Sequence, residues 1–200
     1  SNAVYSGPFV TKAKEEFSNS QNANVQKWSA YIKGDVLRQD FLHVALQWVT
    51  RSVDNDAVDN YMSLHRYDTD ITELKAYFTS VIDWVSGVFS DVKSEMRGLE
   101  WGRLFETYHN NPYDPVVVSS KVHELYADEA VKKKAGIFEY ILGGCIETRL
   151  LEIRVFEDST KKAVYAKQTN EAKAWGKSNC PLCAIGTDNN SKRIWKLSEM

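Results

Sequence analysis

Cysteine is scarce in this chain of 200 residues: there are three, at 145, 180 and 183. An odd, low count excludes a disulfide-stapled secreted scaffold and fits a reducing cytoplasm, where a spare thiol is harmless. Four prolines and ten glycines exclude collagen-like and low-complexity classes. No apolar run approaches the roughly eighteen residues of a membrane span, so no membrane partner is expected. A charged-then-apolar leader is also missing, and a cytoplasmic location is the expectation. Neither a phosphate-cradling glycine loop, a serine nucleophile elbow nor a close carboxylate pair stands out. No catalytic residue can therefore be nominated.

Aromatics are plentiful, with 6 Trp, 10 Tyr and 8 Phe, which predicts a large core of bulky side chains. The length suits one domain, or one domain with a small appendage, and a chain this long needs no metal or disulfide to fold. A net charge of −2 conceals an asymmetry. Residues 1–158 hold 17 basic and 24 acidic residues, a balance of −7, while 159–200 hold 8 and 3, a balance of +5. A basic tail on an acidic body points to a polyanion at the C-terminal end, with a plain solvated helix as the alternative.

Apolar spacing is helical almost throughout. Phe9, Val10, Ala13 and Phe17 follow Gly7-Pro8; Val25, Trp28, Tyr31 and Ile32 restart the period and stop at Gly34. Asp35 is placed to cap a helix through Leu37, Phe41, Val44, Ala45, Trp48 and Val49, and Asp54–Asp59 turns into a short helix with Val58 and Met62. The clearest helix starts at Thr69 or Asp70, with Glu73 as in a capping box, and runs to Phe89. Short helices follow around Leu99, Trp101, Leu104, Phe105 and Tyr108, after the Pro112–Pro115 loop with Val122, Leu125 and Tyr126, and at Ile137–Leu142 before Gly143-Gly144. Val116–Val118 could be a brief strand, and Leu150–Phe156 is ambiguous. A lysine-rich helix runs from Asp158 to about Trp175. Alternation around Ile194, Trp195 and Leu197 suggests a small hairpin. The expected fold is mainly α: a multi-helix domain over 1–157, a basic connecting helix over 158–176, and a short β-hairpin or zinc-knuckle-like start over 177–200.

Cys180-Pro181-Leu182-Cys183 is the one motif with chemical content. Two thiolates at this spacing on a turn can face one metal ion, but structural zinc takes four ligands in a tetrahedron. Cys145, His43, His65, His109 and His123 lie at irregular spacings, so the pair is half of a zinc site. A redox dithiol is the rival, although that reading wants a helix opening at the motif and a loop follows instead. Cys145 reads as a small, buried or half-buried residue, the histidines as satisfied helix or loop residues, and Lys132-Lys133-Lys134 as a solvated charge run.

The stretches Lys161-Lys162-Ala163-Val164-Tyr165-Ala166-Lys167-Gln168, Asn179-Cys180-Pro181-Leu182-Cys183 and Trp195-Lys196-Leu197-Ser198-Glu199-Met200 resemble the lead-in to an HNH nuclease module. Ala3–Pro8, Gly98–Gly102 and Gly136–Leu142 resemble the domain preceding such modules in GmrSD-type (DGQQR-motif) restriction proteins. In that family the HNH part cuts DNA with a divalent metal held by an Asp-His pair and a later His or Asn, and a second Cys/His pair closes a structural zinc site. What the resemblance implies here is limited to Cys180 and Cys183 as zinc ligands; the basic helix, with Lys161, Lys162 and Lys167, is then expected to lie near DNA phosphates. The chain has no DGQQR string, and it stops before the Asp-His and the second zinc pair. Ser1-Asn2-Ala3 also matches the scar of a tag-cleavage scheme, so a fragment of a longer protein, inactive by itself, is the expectation. Residues 177–200 should then be poorly held, because half a metal site supplies little binding energy. The alternatives are a non-enzymatic interaction module with an incidental C-x-x-C, and a thiol redox protein.

Overall fold

Residues 6–153 and 158–199 are described by the computed structural model. The chain divides into two units, Ser1–Ile153 and Arg154–Met200, and among the described residues all regular structure is helical.

In the first unit the apolar periods become helices largely where the spacing predicts them. α1 (Pro8–Phe17) carries Pro8 in its first turn, where the missing N–H costs nothing, and buries Phe9, Val10, Ala13 and Phe17. α2 (Val25–Ser29) stops well short of Gly34. Beyond it the turn tightens, with Ala30 N donating to Lys27 O at 3.3 Å and Tyr31 N to Trp28 O at 3.0 Å, and the next carbonyls take long-range donors: Gly98 N donates to Tyr31 O at 2.8 Å and Arg97 Nε to Ile32 O at 3.1 Å. Asp35 caps only a single 3-10 turn, Val36–Arg38, through Leu37 N. Asp40 Oδ2 accepts from Asp35 N at 2.8 Å and Gln39 enters the left-handed region, so α3 (Asp40–Val49) begins afresh. α4 (Asn55–Leu64) is capped by Asp54.

α5 (Thr72–Val88) is the central helix, and its stripe of Leu74, Phe78, Val81, Ile82, Val85 and Val88 is buried. It starts after Asp70, whose Oδ1 accepts from Thr72 N and Oγ1. α6 (Trp101–Tyr108) follows, then α7 (Pro115–Ala127) and α8 (Gly136–Leu142). The strand option at Val116–Val118 fails because Asp114 Oδ1 accepts from Val116 N at 2.9 Å, and Pro115 opens a helix there. A cap and a helix-starting proline outweigh the β preference of three valines.

α5 packs against α3, α6 and α7; α1 and α4 flank α3, and α8 covers α6 and α7. Phe78 is the hub of one aromatic cluster, with ring centroids 5.0 Å from Phe17, 5.1 Å from Trp28 and 5.2 Å from Trp48. Trp101 centres a second with Tyr31, Phe89 and Phe138, and its Nε1 donates to Met96 O at 2.9 Å. Gly136 permits α8 to meet the 3-10 turn Thr148–Leu151: a Cβ there would lie 1.8 Å from Leu150 O. That turn resolves the first part of the ambiguous Leu150–Phe156 stretch, and Val155 and Phe156 lie outside the described residues.

The second unit contains α9 (Asp158–Trp175), a one-turn α10 (Pro181–Ala184) and a 3-10 turn at Leu197–Glu199. The expected hairpin is not formed among the described residues. Lys192–Leu197 does alternate, but its backbone groups are taken by side chains. Ser178 Oγ donates to Arg193 O at 2.6 Å, while Asn179 Nδ2 donates to Trp195 O and Asn179 Oδ1 accepts from Trp195 N. A strand needs a partner strand, and here a side-chain amide replaces it.

Candidate functional site

The nominated lysines and cysteines all belong to the second unit. On α9, Tyr165, Gln168, Thr169 and Ala172 follow helical spacing and form the covered stripe. Lys161, Lys162 and Lys167 are exposed. At about 100° per residue, Lys167 points some 240° around the helix from Lys161 and 140° from Lys162, so the three do not form one patch. Lys162 instead shares its face with Lys173, about three turns on, and Lys173 is also exposed. A phosphate backbone lying along that face would meet Lys162 and Lys173, with Lys167 turned away.

Asn179 organises the segment C-terminal to α9. It is 3 % exposed, and its Nδ2 donates to Thr169 Oγ1 at 3.0 Å as well as to Trp195 O. Tyr165 Oη also donates to Trp195 O, at 3.0 Å, and Ser178 N donates to Ser191 O. The C-x-x-C turn is thus anchored on one side to α9 and on the other to residues 191–195. Within the segment expected to be loosely held, these bonds tie Ser178 and Asn179 to α9 and to residues 191–195.

Cys180 immediately precedes α10 and Cys183 lies within it; both are half-buried free thiols. The backbone N–H of Cys183 is the main influence drawing the Cys180 thiol below the ordinary thiol value, helped by the Cys183 side chain and Leu182 N–H. Cys183 is pushed up, first by burial and then by the neighbouring Cys180 sulfur. The indole N–H of Trp195 is buried without a hydrogen-bond partner of good geometry, and it opposes that rise from beside Cys183. Two interacting sulfurs with one thiol biased toward thiolate suit a soft metal such as zinc, whose ligand is the thiolate. Among the described residues no group of three or more His, Cys, Asp or Glu is placed to hold a metal ion, and Cys180 and Cys183 stand as a pair.

The remaining candidates lie in the first unit. His65 Nδ1 is 2.7 Å from Asp68 Oδ2 and its ring lies 4.2 Å from that of Tyr61. His109 Nδ1 is 2.6 Å from Phe105 O and stacks on that ring, His123 pairs with Asp91, and His43 is exposed. Cys145 is half-buried against the core. Lys134 is not simply solvated: its Nζ donates to Leu125 O, Tyr126 O and Asp128 O, closing the C-terminal end of α7. Lys132 and Lys133 are exposed, and Lys133 faces Glu152.

Two arrangements escaped the sequence reading. One is the role of Asn179, which looks like any loop asparagine until Trp195 is folded onto it. The other is a cleft of about 640 Å³ in the first unit, between α3 and α6, which gathers residues from 31 to 107. No local spacing signals either. Comparison of the chain with protein-family models, with curated proteins and with solved structures finds no match.

Proposed function

We propose that the chain is the helical portion of a bacterial restriction or defence nuclease of the HNH type, in which the first unit is a scaffold and the second leads into the metal-dependent DNA-cutting module. The observation that carries this reading is the second unit's arrangement: an exposed, lysine-bearing helix joined through Asn179 to a turn with two adjacent thiols. The order basic helix, C-P-x-C, then Trp195–Met200 is the order of the HNH lead-in that the sequence resembles. Cys180 and Cys183 would supply two of four zinc ligands, and the exposed lysines of α9 would lie near phosphates. The catalytic divalent metal would belong to residues beyond this sequence, and the chain itself holds no catalytic group for that reaction.

Reading the source gene past the codon for Met200 tests the proposal. An Asp-His pair within a few codons and a second Cys/His pair within about fifty would complete both metal sites; a stop codon there would overturn it. In the extended protein, replacing Lys161, Lys162 and Lys167 by Ala should weaken DNA binding and flatten its salt dependence, with Lys162 contributing more than Lys167. An unchanged salt slope removes DNA from the role of α9.

A protein-interaction module is the second reading. It is favoured by Trp175, Leu182 and Ile185, which are large, apolar and 78 to 83 % exposed in the second unit. It predicts a stable complex and no DNA affinity in the extended protein.

A further inference from the structure

The cleft between α3 and α6 belongs to the first unit and takes no part in the reading proposed above. Ile32, Val44, Trp48 and Leu99 supply the apolar part of its lining, beside polar and charged side chains, in a volume of about 640 Å³, within the range that small organic ligands occupy. Gly102 allows this shape, because a Cβ there would lie 2.6 Å from Trp48 Cδ1.

Five charged side chains, Lys33, Arg51, Glu100, Arg103 and Glu106, also line the cleft. Arg103 is paired with two carboxylates: Nε donates to Glu100, and its two terminal nitrogens donate to the two oxygens of Glu139 at 3.0 and 2.9 Å. Glu106 is held by Arg51 Nε at 3.1 Å and by the Tyr77 hydroxyl. Both lining carboxylates therefore already face a guanidinium. Lys33 makes no ion pair among the described residues, and Arg51 meets Glu106 through Nε and also interacts with the Tyr77 hydroxyl, its side chain 66 % exposed. The lining thus carries three cationic and two anionic side chains, a balance of +1 on a body that is otherwise acidic.

Arg51 also sits where a turn alone would favour another residue. It follows α3 with φ +53°, in the left-handed region where glycine is at ease and a long side chain is strained. Gln39, Cys145 and Glu152 share that region, so the backbone by itself gives Arg51 no role; its side chain is what lines the cleft.

We propose that this cleft binds a small organic carboxylate: an apolar body seated on Ile32, Val44, Trp48 and Leu99, and a carboxylate held by Arg51 and Lys33. The probe is 4-phenylbutyrate, titrated into the full chain and followed by methyl NMR, with the neutral 4-phenylbutyramide as its comparator. Saturable shifts at the Ile32, Val44 and Leu99 methyls are expected, with the amide weaker by about tenfold or more. Arg51→Gly should cost a similar factor without unfolding the chain, since glycine suits that backbone. Lys33→Gln, on an exposed side chain, should weaken binding to a smaller extent. Absence of saturable shifts up to about 10 mM, shifts outside the cleft, or equal binding of acid and amide would each overturn the proposal. Because the comparator needs no variant, the outcome does not depend on how Arg51→Gly folds.

Discussion

The two units solve the problem of folding in opposite ways. Residues up to Ile153 bury rings from six helices in one continuous core, in which Phe78 and Trp101 each touch three other aromatic side chains. The second unit buries only Thr169, Ala172, Ser178 and Asn179 among its described residues, and leaves Trp175, Leu182 and Ile185 exposed. Its order comes from hydrogen bonds between side chains and backbone. Hydrophobic burial scales with area, whereas each such bond contributes a net ~1 kcal/mol. A unit of this size held in the second way is marginal, the situation in which small domains recruit a metal or a partner. The two thiols and the exposed apolar residues are where either would attach.

This contrast can be broken first at Phe78. Replacing it by Ala removes the ring on which Phe17, Trp28 and Trp48 converge, and should cost about 3–5 kcal/mol in the first unit. Calorimetry would register a large fall in its melting temperature, and a small one would mean that the cluster is not the hub. Gly136→Ala comes next. The added carbon would collide with Leu150 O, backbone against backbone, and should cost about 1–3 kcal/mol or more through displacement of the Thr148–Leu151 turn.

Asn179→Ala sharpens the comparison from the other side. It removes three bonds, to Thr169 and to both backbone groups of Trp195, and should cost about 1–3 kcal/mol. Hydrogen exchange should then accelerate at Trp195 and around the C-x-x-C turn, while protection in α5 is unchanged. Loss of protection in α5 would mean that the effect is not confined to the second unit.

The smallest effect is expected from alkaline pH. Burial pushes the hydroxyls of Tyr61 and Tyr77 up to about 12. Between about pH 10, where an unfolded tyrosine ionises, and about pH 12, the folded state therefore holds more protons than the unfolded one, and stability falls as pH rises. Tyr61→Phe should flatten that slope, since the Tyr61 hydroxyl is buried with no hydrogen-bond partner. An unaltered slope in denaturant melts across this window would remove Tyr61 from the effect.

Much of the architecture is legible before folding. α1, α5, α6, α8 and α9 lie close to where apolar spacing, Pro8, Asp158 and Gly143 place them. The errors share a cause. α2 does not reach Gly34, and the carbonyls of Tyr31 and Ile32 beyond its end accept instead from Gly98 and Arg97, more than sixty residues away. The alternating stretch at Ile194–Leu197 does not become a strand because Asn179 and Ser178 occupy its backbone. The site divides similarly. Exposure of Lys161, Lys162 and Lys167 follows from composition, but their divergence around α9 requires knowing which stripe is covered.

No membrane crossing is supported by any described helix, in keeping with the lack of long apolar runs. The sequence by itself determined the helical class, the aromatic composition of the core, the basic C-terminal balance and the adjacency of Cys180 and Cys183. These depend on residues within a turn or two of each other, where spacing is geometry. Only the tertiary structure decided that Arg51, Glu106 and Tyr77 meet at the rim of a cleft, and that Asn179 stands in for a strand. Those contacts join residues 16 to 55 positions apart. Their partners are chosen by how the helices pack, and no local pattern records that choice.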